Sequence, residues 1–221
     1  MGLDRTALML LKAALPAKQV LSLGYPDILL SCQDVNEFFH IEIDKIAPQN
    51  EEAKKRHGVA FDLPDTEAFF SALGSVLTCV DYKQLRGNEI VADLNEPNEF
   101  GLFDLVIDPG TLEHCFNIAQ AACNAAKAVA ENGFILHVNP ISQVNHGFYM
   151  LSPTWYHDFY TQNGWKVPRM LVSDGKNISQ IDPVRRVSVL SNLSNYILVS
   201  RGLASNQMHW PIQSKYLKML A

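Results

Sequence analysis

"FDLVIDPGTLEHCFN" (residues 103–117) is an apolar run that ends in Asp108, breaks at Pro109-Gly110 and reopens with the polar group Thr111, Glu113 and His114. Two earlier stretches repeat the pattern: "SVLTCVDY" (75–82) ends its run at Asp81, and "NEIVADLNEP" (88–97) at Asp93. An Ala-rich helix is expected over residues 118–130, stopped by Asn132-Gly133, before another apolar run in "FILHVNP" (134–140). Apolar strands separated by helices, with polar residues at the strand ends, predict a parallel sheet covered on both faces.

Upstream, "VLSLGYPDILLS" (20–31) reads as the first strand, running into a loop whose first special residue is Gly24. A helix over 6–14 closed by Pro16 precedes it, and a helix over 33–40 entered at Ser31 or Gln33 follows. Residues 41–64 are charged and carry Pro48, Gly58 and Pro64, the composition of an irregular insertion, a lid or a long loop. Asp65 then caps a helix through Leu73, since its carboxylate can accept from the unpaired amides of a first turn. Downstream, Pro153 opens a helix that reaches Asn163-Gly164. Residues 166–172 and "NYILVSRG" (195–202) are late strands expected as a hairpin edge, and 203–221 is a C-terminal extension that folds back as a helix. Residues 1–221 are thus read as one α/β domain: a doubly wound, mostly parallel seven-stranded sheet, Rossmann-like, with a late antiparallel strand.

With 221 residues, 48% of them hydrophobic, the chain can bury one sizeable core. A net charge of -5 supplies no broad positive field, which argues against a nucleic-acid or anionic-membrane partner. No run of about 18 apolar residues is present to span a bilayer. The N-terminal stretch sets Asp4 beside Arg5 and reads as an amphipathic helix rather than a signal peptide. The four cysteines, Cys32, Cys79, Cys115 and Cys123, form no CxxC pair and have no His at zinc spacing. They are expected as free thiols in a reducing compartment, the cytoplasm, with no metal-ligand set.

In an open α/β sheet, ligands bind beyond the carboxyl ends of the strands, and an acid ending the second strand can accept from both hydroxyls of a ribose. A single strand-end Asp also reads as a helix cap or turn former. Three in succession, together with Gly24, point to nucleoside binding.

From Val20 to about Val199 the pattern resembles a class I S-adenosylmethionine-dependent methyltransferase, particularly the small-molecule kind labelled type 11. "VLSLGYPD" is similar to the cofactor loop, "TCVDY" to the ribose-binding strand end, "VADLNE" to the adenine-flanking segment and "FDLVIDPGTLEHCFN" to the fourth-strand motif, which is the most specific piece. The resemblance implies S-adenosyl-L-methionine as cofactor, held by Leu23, Gly24, Tyr25, Pro26 and Asp27, by Asp81 and Tyr82, by Asp93 and Leu94, and by Asp108, Pro109 and Gly110. The chain departs from the family at Ser22, where an acidic residue is usual, and at Pro26, where the second glycine is usual. Pro26 supplies no amide donor. Asp27 replaces the missing carboxylate, or Asp108 and backbone carbonyls hold the amino-acid end.

Methyl transfer from a sulfonium is an in-line displacement, so positioning in a dry pocket supplies much of the catalysis, and a base is needed only for a hydroxyl or protonated amine acceptor. His114 is the leading candidate for base or acceptor-orienting group, with a helix-capping role as the alternative. "NHGFYMLSPTWYHDFY" (145–160) adds His146 and Tyr149 as further candidates and aromatic walls from Phe148 and Trp155. Glu113 either touches substrate or favours a helix N-terminus. The expected activity is methyl transfer to an oxygen or nitrogen of a small molecule or sugar-containing precursor. The alternative is a catalytically degenerate binding or scaffold module on the same fold, whose pocket should be nearly filled. A nucleotide-dependent oxidoreductase ranks last, because the glycine fingerprint is absent.

Overall fold

The computed structural model describes residues 2–186, 192–205 and 207–217. Eight strands make one sheet: β1 (Gln19–Leu23), β2 (Val76–Asp81), β3 (Ile90–Val91), β4 (Phe103–Asp108), β5 (Val129–Pro140), β6 (Lys166–Ser173), β7 (Ile178–Gln180) and β8 (Ser194–Ser200). Their order is β3-β2-β1-β4-β5-β8-β6-β7. β1 to β5 pair in parallel, while β8 runs antiparallel to both β5 and β6, and β7 antiparallel to β6.

The helices are α1 (Arg5–Ala13), α2 (Cys32–Phe39), α3 (Asn50–His57), α4 (Thr66–Ala72), α5 (Ile118–Lys127), α6 (Pro153–Gln162) and α7 (Ser214–Leu217). Local chemistry sets several starts. Asp4, Ser31 and Asp65 accept from the amides of Ala7 (3.0 Å), Asp34 (3.2 Å) and Ala68 (2.7 Å), each satisfying an orphan donor of a first turn.

The central strands alternate their side chains between two cores. Leu105 and Ile107 of β4 join Val20, Leu136 and Val138 against Leu8 and Leu11 of α1, Val35 of α2 and Phe69 of α4. Val106, on the opposite face, joins Leu21, Ile135 and Ile197 against Ala122 and Ala126 of α5 and Tyr160 of α6. With both faces covered, each fully buried Leu or Ile contributes about 1.5–3 kcal/mol. The connection leaving β1 thus covers one face and the connection leaving β4 covers the other. Between these neighbouring strands a crevice opens at their carboxyl ends.

Three expectations change. Among the described residues the strand count is eight rather than seven, and the last strand is interior, between β5 and β6, rather than at an edge. Tyr196 and Leu198 are buried on one face of β8 and Ile197 and Val199 on the other, so both faces needed cover. Asn132-Gly133 does not stop α5, which ends at Lys127, but lies within β5. There β4 advances from Phe103 to Leu105 while β5 advances from Val129 to Phe134, a bulge made possible by Asn132 at φ 62° and by Gly133, whose absent Cβ would sit 2.9 Å from the Asp104 carbonyl oxygen. The insertion at 41–64 contains α3, which builds a small core of its own from Ala47, Ala53 and Leu63. Of the C-terminal extension, α7 is the helical part among the described residues, and 218–221 lie outside them.

Candidate active site

Beyond the carboxyl ends of β1, β2 and β4 lies a cavity of about 860 Å³. Gly24 follows β1 directly and takes φ 84°, which suits a residue without a Cβ. A Cβ built there would sit 3.1 Å from Thr111 Oγ1 and 3.7 Å from Asp81 Oδ2, so three of the segments singled out in the sequence converge within one residue's reach. Thr111 also donates to the Leu23 carbonyl across the crevice between β1 and β4. Asp81 accepts only a long 3.4 Å contact from the Lys83 amide among the hydrogen bonds of its side chain, leaving carboxylate oxygens available to a ligand.

Asp81 and Tyr82 line the cavity together with Asp93, Leu94, Pro109 and Gly110. Asp93 sits two residues past β3, and its Oδ1 accepts from the amide (2.9 Å) and side chain (2.7 Å) of Asn95. That wall is braced from below by buried Asn124 of α5, which donates to the carbonyls of Leu94 (3.1 Å) and Glu96 (2.8 Å).

The altered glycine loop is rebuilt around an ion-pair cluster. Asp27 lines the cavity yet is 2% exposed. Arg86 Nη2 contacts both its oxygens, at 2.9 and 3.0 Å, and His57 Nε2 of α3 lies 3.0 Å from Oδ2. Its carboxylate is therefore engaged internally, in contrast to the free replacement acid expected. Arg86 stacks over the Tyr25 ring at 4.7 Å, and Tyr25 Oη accepts from the Thr66 amide at 3.1 Å. Burial pushes the Tyr25 phenol up to about 12, so it stays neutral. Ser22 donates to the Gly24 carbonyl at 2.7 Å and takes no other role. Leu23 and Pro26 lie behind the cavity wall, with the Pro26 carbonyl accepting from Thr66 Oγ1.

Asp108 departs further from expectation. It is fully buried and turned inward: Oδ1 accepts from the amides of Thr111 (2.9 Å) and Leu112 (3.1 Å), and Oδ2 lies 2.8 Å from His137 Nδ1. His137 Nε2 in turn meets Tyr160 Oη at 2.7 Å. Burial opposes ionisation of Asp108, but the hydrogen bond and charge of His137 and the Thr111 amide outweigh it and hold the carboxyl below its ordinary range. This acid holds the turn after β4 in shape and leaves the cavity to its neighbours.

The turn it shapes, Leu112–His114, is a single 3₁₀ turn and carries Glu113 and His114. Glu113 is fully buried. Its Oε2 accepts from Asn139 Nδ2 at 2.8 Å, while Oε1 has no hydrogen-bond partner among the described residues. Burial, then the nearby Asp108 charge, raise its carboxyl from 4.5 to about 7. The loop after β5 folds onto the same place: the amides of Phe148 (2.8 Å) and Tyr149 (3.3 Å) donate to the Glu113 carbonyl. This sets His146 Nε2 3.5 Å from Glu113 Oε1, and His114 Nε2 4.0 Å from it. Burial lowers both imidazoles from their ordinary value. Both histidines line the cavity; Tyr149 does not, and donates to the Phe116 carbonyl at 2.8 Å. Cys115 also lines it, but burial pushes its thiol to about 12, far from a nucleophilic thiolate.

No protein-family model matches the sequence, and no curated protein matches it. Among solved structures, TehB from Haemophilus influenzae superposes with a TM-score of 0.50 at 12% identity, covering 88% of this chain and 60% of that one. The chain has the class I methyltransferase fold.

Two solved methyltransferases superpose less fully. N-methyltransferase NodS from Bradyrhizobium japonicum, crystallised with S-adenosyl-L-homocysteine, gives 0.48 at 12% identity over 87% of this chain and 83% of its own. An O-methyltransferase from the trans-AT PKS multienzyme of Brevibacillus brevis, also with S-adenosyl-L-homocysteine, gives 0.46 at 11% identity over 77% and 54%. The chain thus spans less than two thirds of the Brevibacillus and Haemophilus proteins. Onto the methyltransferase fold this chain sets features that its motifs did not announce. Thr111 closes the crevice, Arg86 and His57 engage Asp27, and Asn139 orients Glu113. An acid beside a histidine in "LEH" was the available signal for Glu113; nothing in the sequence linked Arg86 to Asp27 across 59 positions. Among the described residues no helix is long and apolar enough to cross a membrane.

Proposed function

We propose that the protein transfers the methyl group of S-adenosylmethionine to an oxygen or nitrogen atom of a small molecule. The observation that carries this reading is the pairing of Gly24 with a carboxylate oxygen of Asp81 at the mouth of an open cavity at the sheet's switch point. When bound, the cofactor supplies an electrophilic methyl on a sulfonium.

The residues fit the parts of such a molecule. Asp81 accepts from the ribose hydroxyls, Gly24 admits the chain close to its backbone, and Asp93, Leu94 and Tyr82 flank the base. With Asp27 spent on Arg86 and His57, the ammonium of the amino-acid end falls to the backbone carbonyls of the loop after β1. Glu113, poised near neutrality, and the neutral imidazoles of His114 and His146 serve as acceptors for the proton an incoming hydroxyl or ammonium must lose. A catalytically silent scaffold would have a nearly filled pocket, and the open volume of about 860 Å³ favours the enzyme. Free cysteines fit a reducing compartment, the cytoplasm, and the acidic net charge fits a small-molecule partner rather than nucleic acid or membrane.

Calorimetry with S-adenosylmethionine and S-adenosylhomocysteine tests the reading. The wild type is expected to bind both, and Asp81→Ala to weaken each by about 10–100-fold, the loss of hydrogen bonds to a charged acceptor. Absence of heat with either ligand at millimolar concentration removes the proposal.

A further inference from the structure

The buried end of the acceptor pocket holds two polar atoms that face each other without satisfying each other. Glu113 Oε1 and His146 Nε2 are both buried, both lack a hydrogen-bond partner among the described residues, and stand 3.5 Å apart. Leaving such groups unpaired away from water is costly, so the arrangement calls for something between them. His114 Nε2 completes a triangle: the three ligand atoms lie within 4.8 Å of one another.

We infer that Glu113, His114 and His146 form a binding site for a divalent transition-metal cation. Two ligand atoms on a tetrahedral Zn²⁺, each about 2.0–2.1 Å from the metal, stand about 3.3 Å apart. The Glu113–His146 separation of 3.5 Å matches that span, and the 4.0 Å to His114 closes with a small side-chain adjustment. Two imidazoles and one carboxylate are a donor set for zinc and its neighbours, and poor for Mg²⁺, which prefers oxygen.

The surroundings hold the ligands in place. Asn139 donates to Glu113 Oε2 and itself accepts from Tyr156 Oη, which leaves Oε1 as the oxygen turned toward the histidines. His146 is held by the residue after it. A Cβ on Gly147 would come 2.7 Å from the Glu113 carbonyl oxygen, so only glycine lets the loop lie this close.

Three protein ligands leave a coordination position open, and both histidines line the cavity. Resting on the methyl-transfer reading, that position takes the oxygen of a hydroxyl acceptor. With Glu113, His114 and His146 bound to the cation they no longer take that proton; the bound hydroxyl releases it to solvent, and its oxygen forms the new bond to the methyl carbon as the carbon–sulfur bond breaks and the pair stays on sulfur. The acceptor class is then a hydroxylated small molecule rather than an amine.

The test is titration of chelator-stripped protein with Zn²⁺ by calorimetry and with Co²⁺ by visible absorption, without any cofactor. One equivalent of Zn²⁺ is expected to bind, and Co²⁺ to develop d–d bands that Zn²⁺ displaces. His146→Ala is expected to weaken Zn²⁺ by at least about 100-fold, and a circular-dichroism spectrum and S-adenosylhomocysteine affinity equal to wild type establish that it is folded. His114→Ala, at the more exposed of the two side chains, provides the second variant. Absence of Co²⁺ bands, Zn²⁺ affinity unchanged in the folded double variant, or Mg²⁺ binding in preference to Zn²⁺ overturns the assignment. S-adenosylhomocysteine binding without Zn²⁺ binding sinks this inference and leaves the methyl-transfer reading standing; the converse result does the opposite.

Discussion

Glu113 concentrates the chemistry of the site in one side chain, and its carboxyl has a consequence for stability. Burial raises it from 4.5 to about 7. Below pH 4.5 the folded and unfolded chains both carry the proton and nothing is lost. Between 4.5 and 7 the unfolded chain gives it up first, so stability falls as pH rises, by about 3 kcal/mol over that interval. Glu113→Gln keeps an acceptor for Asn139 and removes the titration. In the presence of a chelator, urea unfolding is expected to show the variant gaining about 2–3 kcal/mol on the wild type between pH 5 and pH 8. A pH-independent difference would place the proton elsewhere. Asp108 behaves oppositely. Its depressed carboxyl contributes stability above its ordinary value that is lost as the solution is acidified, and Asp108→Asn should flatten the acid limb of the stability profile.

The loop between β5 and α6 shows how one element brings distant chemistry together. Gln143 and His146 line the cavity because the loop's backbone is tied to Glu113, through the Phe148 and Tyr149 amides and the close approach of Gly147. Gly147→Ala must push the loop away, at a cost of about 1–3 kcal/mol. The expected outcome is a protein that binds S-adenosylhomocysteine as before but has lost His146 from the acceptor side, read as weakened Zn²⁺ binding and reduced turnover. Equal loss of cofactor binding would show that the loop supports the whole rim instead. The short strand β3 makes the converse point. With only Ile90–Val91 paired, the wall carrying Asp93 and Leu94 depends on Asn124 of α5 rather than on the sheet.

Across the whole molecule, Arg86 ties its own segment to two others, the loop after β1 and the insertion. It reaches Asp27 after β1, the Pro48 carbonyl in the insertion and the Tyr25 ring, while sitting between β2 and β3. Arg86→Ala leaves the 2% exposed Asp27 with His57 and the more distant Arg56, and removing one partner of a buried pair costs about 3–5 kcal/mol. Thermal unfolding is expected to shift accordingly, with S-adenosylhomocysteine affinity falling in parallel; a variant as stable as wild type would assign the lash no structural role.

Much of this architecture was legible in one dimension. Period and breakers are local, so the order of the parallel strands and the helices flanking them, the caps at Ser31 and Asp65 and the carboxylates at Asp81 and Asp93 could be read directly from neighbouring residues, whereas α3 inside the insertion and the short β7 could not. The sheet order beyond β5, the bulge at Asn132-Gly133 and the interior position of β8 could not, because an apolar run states that a strand is buried and not between which partners. The same holds for the site. Sequence determined that acids would gather at one rim, since their places at strand ends follow from the alternation of strand and turn. Only tertiary structure decided which of them are spent on internal partners: Asp27 and Asp108 are claimed by Arg86 and His137 across 59 and 29 positions, Asp81 is left open to the cavity, and Glu113 meets His146 across 33. Ion pairs and desolvation act through space, and separation along the chain carries no trace of them.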